Sequence, residues 1–70
     1  MYRYRAVRKL YRFENGKHYF GYYIQLERSE KRLEDVTVNA SEAKRLVRLL
    51  NAGQIHPRFL LSFVSTYIDK

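Results

Sequence analysis

Two runs of apolar and aromatic residues interspersed with bases open the chain, YRAVRKLYRF over residues 4–13 and HYFGYYIQL over residues 18–26, with only ENGK between them. Asn-Gly between two such runs is a strong hairpin signal, because a two-residue type I′ turn needs positive φ at both central positions. With Asn15 and Gly16 as the loop, Glu14 faces Lys17. The expected pairs are then Phe13 with His18, Arg12 with Tyr19, Tyr11 with Phe20, Leu10 with Gly21, Lys9 with Tyr22, Arg8 with Tyr23, Val7 with Ile24, and Arg5 with Leu26.

That register sorts the side chains onto two faces. Val7, Tyr11, Phe13, Phe20, Tyr22, Ile24 and Leu26 form the expected core face. Tyr4, Arg8, Arg12, Tyr19, Tyr23, Gln25 and Glu27 form the expected outer face, where each Arg can lie on a Tyr ring. Tyr2, Tyr4 and Ala6 follow the opposite parity from Val7, Tyr11 and Phe13, so a bulge is expected near Ala6 or Lys9. Gly21 marks a further bend.

The remaining pattern changes period. RSEKRLED (28–35) reads as a charged connection and DVTVN (35–39) as a third strand. Asn39 with Glu42 three residues on fits a helix N-terminus, with Ser41 as the competing cap. Ala43, Leu46, Val47 and Leu50 make an i, i+3, i+4, i+7 stripe. Gly53 is expected to end that helix in left-handed geometry. Pro57 is expected to open a second helix, whose apolar face is Leu60, Phe63, Val64, Tyr67 and Ile68. The predicted fold is α+β: an N-terminal hairpin and a short third strand in an antiparallel sheet, then two helices on one sheet face, all within one small domain over residues 1–70.

Charge adds a functional hint. Lys and Arg number 14 against 7 Asp and Glu, a net charge of +7. Such an excess favours polyanions or an acidic protein. It is concentrated at the start, where residues 1–12 carry Arg3, Arg5, Arg8, Lys9 and Arg12 and no acid. With no cysteine there is no disulfide, thiolate metal site or Cys nucleophile, which fits a cytoplasmic protein. No apolar run is long enough to span a membrane. The basic N-terminus lacks the apolar stretch of a signal peptide.

Catalytic chemistry finds little support. His18 and His56 belong to no metal-spaced cluster, and no serine has an elbow-like context. The three glycines form no phosphate-cradling loop. No enzyme activity, metal or cofactor is expected. The constellation with chemical content is the Arg/Tyr set of the hairpin. Tyr4, Tyr19 and Tyr23 are expected to stack on bases, while Arg5, Arg8, Arg12 and Lys17 reach phosphates. The alternative is a protein partner or a homodimer using the last helix through Phe59, Leu61, Phe63 and Tyr67. A surface with no specific ligand also accounts for Arg and Tyr on strands.

The stretch AKRLVRLLNAGQIHPRFLLSFVSTYI, with Asn51, Ile55, Pro57, Leu61, Val64, Tyr67 and Ile68, resembles a small Firmicutes domain family of unknown function found as short stand-alone bacterial proteins. The hairpin with YFGYYIQL is similar to the first half of that family. The resemblance implies the same hairpin-and-two-helix fold and no established activity. The YRAVRK strand also looks like the first strand of three-stranded DNA-binding domains of plant factors and integrases, whose tryptophans are absent here.

Overall fold

The computed structural model describes residues 1–68. Three strands, β1 (Tyr4–Arg12), β2 (His18–Leu26) and β3 (Arg32–Thr37), form an antiparallel sheet in the order β1-β2-β3. Helix α1 (Ala40–Ala52), a 3-10 turn (Pro57–Phe59) and helix α2 (Leu60–Ile68) follow. The α+β architecture matches the sequence pattern, and both helices contact the sheet.

The register differs from the expected one by a single residue. Tyr4 pairs with Leu26, Ala6 with Ile24, Arg8 with Tyr22, Leu10 with Phe20 and Arg12 with His18, without a break in β1. The loop holds three residues, Glu14, Asn15 and Gly16, rather than two. The Phe13 amide donates to the Lys17 carbonyl (2.7 Å), and the Gly16 amide closes a turn onto the Phe13 carbonyl (3.0 Å). Only Gly16 in this loop has positive φ, at 87°, as in a type I turn followed by a glycine bulge. One residue of slip exchanges the faces of a strand. The even residues of β1 therefore lie on the helix side, and Val7, Tyr11 and Phe13 lie on the outer side.

The core explains why this register wins. Tyr4 and Ile24 are buried together against Leu46 and Leu50 of α1 and Leu60 and Val64 of α2. Tyr2, Tyr4 and Ala6 thus set the parity of the whole strand, and no bulge near Ala6 or Lys9 is needed. The bulge sits in β3 instead. Leu33 pairs with Ile24 but Thr37 pairs with Tyr22, so the register shifts between them. Asp35 takes φ 50° there. The bulge lets both Leu33 and Val36 pack on the core, which a strict period of two forbids.

Helix α1 begins as its sequence predicts. Asn39 Oδ1 accepts from the Glu42 amide at 2.9 Å, and Ala43, Leu46 and Leu50 are buried. Its end differs: Gly53 has φ −84°, and Gln54 takes the left-handed position at φ 48°. The Ile55 amide donates to the Leu50 carbonyl and the Gln54 amide to the Asn51 carbonyl, a Schellman ending. Space at Gly53 is tight: a Cβ there would meet Ile55 Cδ1 at 3.2 Å and the Leu49 carbonyl at 3.3 Å, so these neighbours would have to shift slightly. Pro57 opens the 3-10 turn, with His56 Nδ1 accepting from the Arg58 amide. Among the described residues no helix is long and apolar enough to cross a membrane.

Candidate nucleic-acid interface

The seven hairpin residues expected to contact nucleic acid do not share one face. Arg8 and Arg12 lie on the helix side, opposite Tyr22 and His18, whereas Tyr19 and Tyr23 lie on the outer side, opposite Tyr11 and Val7. Arg5 and Lys17 are on the outer side as well. Tyr4 is a core residue, 2% exposed. Its hydroxyl donates to the Ile55 carbonyl at 2.6 Å, and burial raises its pKa. It is unavailable for base stacking. The expected Arg8–Tyr23 and Arg12–Tyr19 contacts are replaced: Arg8 lies 3.8 Å over Phe20, and Arg32 lies 4.5 Å over Tyr23.

The outer face is a closed network. Gly21 leaves a gap in β2, across which side chains of β1 reach β3. The Tyr11 hydroxyl donates to Glu34 Oε1 (2.8 Å) and accepts from the Asp35 amide (3.0 Å). Lys9 Nζ reaches the same Glu34 oxygen at 3.3 Å, and Arg32 Nε holds Glu34 Oε2 at 2.6 Å. The Tyr19 hydroxyl donates to Asp35. The rings of Tyr11 and Tyr19 stack with centroids 5.6 Å apart, and Phe13 tilts against Tyr19 at 4.5 Å. A Cβ on Gly21 would meet both the Tyr11 ring and Asp35 Oδ1 at 3.2 Å. The hydrogen bond from Tyr11, with Lys9 and Arg32 nearby, holds the Glu34 carboxyl below its ordinary pKa. The hydrogen bond to Asp35 raises the Tyr19 hydroxyl. Two carboxylates therefore occupy the middle of this face, and Lys9 and Arg32 are already matched.

The helix side beyond the core is different. The helices bury Tyr4 and Ile24, but further out on the same face Leu10 and Phe20 stay about half exposed, at 50% and 51%. Arg8, Arg12 and His18 are exposed beside them. Helix α1 extends this surface. Lys44, Val47 and Asn51 of α1 border a hollow of about 370 Å³ with Arg5 and Ala6 of β1. Arg48 lies one turn beyond Lys44 on the same flank. Among the described residues no carboxylate pairs with Arg5, Arg8, Arg12, Lys44 or Arg48; the ion pairs are Arg3–Glu27, Lys9–Glu34 and Arg32–Glu34. A basic band thus follows β1, the edge strand, with Arg8 and Arg12 on the helix side and Arg5 on the outer side, and Lys44 of α1 beside its start, where Glu27 also lines the hollow. Lys44, Arg48 and Phe20 were not singled out from sequence. The available signal was the parity of Tyr2, Tyr4 and Ala6, which puts Arg8 and Arg12 on the helix side.

At the last helix, Phe59 and Leu61 are 49% and 61% exposed, whereas Phe63 and Tyr67 are partly buried against the core. The chain matches no protein-family model, no curated protein and no solved structure.

Proposed function

We propose that this chain is a non-enzymatic basic binding module that contacts nucleic acid through the band along β1, with weak sequence preference. One observation carries the proposal: Arg8 and Arg12 stand on the helix side without a carboxylate partner among the described residues, while the acids Glu34 and Asp35 lie on the other sheet face. Guanidinium groups without a carboxylate partner suit a phosphate backbone. The Arg8 guanidinium, lying over half-exposed Phe20, offers a flat cationic surface for a base. The test is a fluorescence-anisotropy titration of a labelled oligonucleotide at several salt concentrations. Binding that weakens linearly in log salt, and weakens further in Arg8→Ala and Arg12→Ala, is the expected result. No binding at low salt, or binding indifferent to both substitutions, would overturn the proposal.

A second reading has its own observation. Phe59, just before α2, and Leu61, within it, are exposed, and an open apolar hollow of about 650 Å³ is lined by Phe59, Ile55, His56, Phe63 and Tyr67. Apolar aromatic surface of this kind suits a protein partner or a second copy. Light scattering across concentration tests the homodimer: a monomer mass at every concentration removes it.

A further inference from the structure

In an antiparallel ladder the residues of an edge strand alternate between those that bond the neighbour and those whose N–H and C=O point away from the sheet. In β1 the bonded set is odd. The Phe13 amide donates to the Lys17 carbonyl, and the Arg3 carbonyl accepts from the Glu27 amide. The even residues from Tyr2 to Arg12 therefore direct their backbone groups along the open edge.

The protein closes the first part of this edge with two side-chain amides from the end of α1. The Tyr4 amide donates to Asn51 Oδ1 (2.7 Å), and Asn51 Nδ2 donates back to the Tyr4 carbonyl (3.1 Å). Gln54 repeats the pattern on Tyr2, with 2.9 Å to its Oε1 and 3.0 Å from its Nε2. Each amide stands where the peptide group of another strand would lie. No such partner meets Ala6, Arg8, Leu10 or Arg12 among the described residues. The opposite edge of the sheet is interrupted by the β3 bulge at Asp35, a device that discourages pairing. Ala6 to Arg12 is thus the regular open edge, roughly 20 Å long at 3.3 Å per residue.

We propose that this segment accepts an extended acidic peptide segment of a partner protein as a fourth strand. Charge selects the occupant. Arg8 and Arg12 stand on one face with Leu10 between them, and the described residues give neither cation a carboxylate partner. A second copy pairing edge to edge would bring Arg8 and Arg12 against the same residues of its partner, and like charges directly opposite are destabilising. An acidic strand faces no such repulsion. The fitting pattern is acidic, apolar, acidic at alternate positions, with carboxylates opposite Arg8 and Arg12 and an aliphatic residue opposite Leu10. Main-chain hydrogen bonds supply affinity and the alternating side chains supply selectivity. The contact is made by main chain and does not rest on the nucleic-acid proposal.

The probe is a capped peptide containing Glu-Thr-Val-Thr-Glu, titrated against the whole chain while amide hydrogen exchange is followed by NMR. Saturable binding is expected, with exchange at Ala6, Arg8, Leu10 and Arg12 slowed by about tenfold or more. Leu10→Pro removes one outward N–H and leaves the ladder to β2 intact, so it should abolish peptide binding. The odd-numbered β1 amides report that this variant remains folded. Because Leu10→Pro keeps every cation, an oligonucleotide titration on it separates the two proposals. Arg8→Glu with Arg12→Glu should reject the acidic peptide and accept Lys-Thr-Val-Thr-Lys. Peptide binding that leaves the four amides unprotected would overturn the inference. So would protection of those amides by rising protein concentration alone, or by an oligonucleotide but not by the peptide.

Discussion

Asn51 does more for this fold than its place near a helix end suggests. Its amide bonds both backbone groups of Tyr4, and Tyr4 sets the parity of β1. Asn51→Ala should therefore cost about 1–3 kcal/mol, since it leaves part-buried polar groups unpaired; a urea midpoint measures it. Asn51→Asp should be worse at neutral pH, where a carboxylate opposes the Tyr4 carbonyl. Its deficit should shrink on acidification, when the protonated group can again donate. Glu34 has the opposite character. Its lowered pKa means that its contribution is complete above the ordinary glutamate value of about 4.3 and is lost as pH falls through the lower folded value. Denaturant midpoints taken down through that range should fall in the parent and fall less in Glu34→Gln.

Among the elements, the hairpin turn departs most instructively from expectation. Asn15-Gly16 announced a turn correctly, but the same dipeptide serves a two-residue loop and a three-residue loop with a glycine bulge. The choice reverses every side chain of β1, and local sequence does not make it. Gly16→Ala should cost about 1 kcal/mol from backbone strain at φ 87° alone, because nothing lies within 4 Å of the added methyl; thermal unfolding reads it. In α2 the neighbours Leu60 and Leu61 should separate sharply. Leu60 is buried, so Leu60→Ala should lose about 2–5 kcal/mol. Leu61→Ser should stay within about 0.5 kcal/mol of the parent.

For the molecule as a whole, what matters is which cations are matched. A net charge of +7 is legible without any structure, but it does not say which bases are free. Lys9 and Arg32 are held by Glu34, whereas Arg8 and Arg12 have no carboxylate partner among the described residues. In salt titrations with duplex DNA, Arg12→Ala should reduce the slope of log K against log salt by about 0.9 per lost phosphate contact. Arg32→Ala should change it much less. The aromatic outer face, which composition marks as a stacking platform, keeps its rings and hydroxyls for itself. Tyr19→Phe should therefore affect stability before it affects binding.

The Asn-Gly signal, the β-branched DVTVN run, the Asn39 cap and the α1 stripe are local properties, because each depends on residues a few positions apart. They sufficed for three strands, two helices and their order, although β3 begins at Arg32, inside the segment expected to be a connection, and ends at Thr37. The register of β1, the bulge at Asp35 and the αL position of Gln54 depend on contacts between distant segments. Tyr4 meets Asn51 and Ile55, and Tyr11 meets Glu34. Only the folded chain brings these groups together, so only the tertiary structure decided which face Arg8 and Arg12 occupy and which part of the β1 edge stays open.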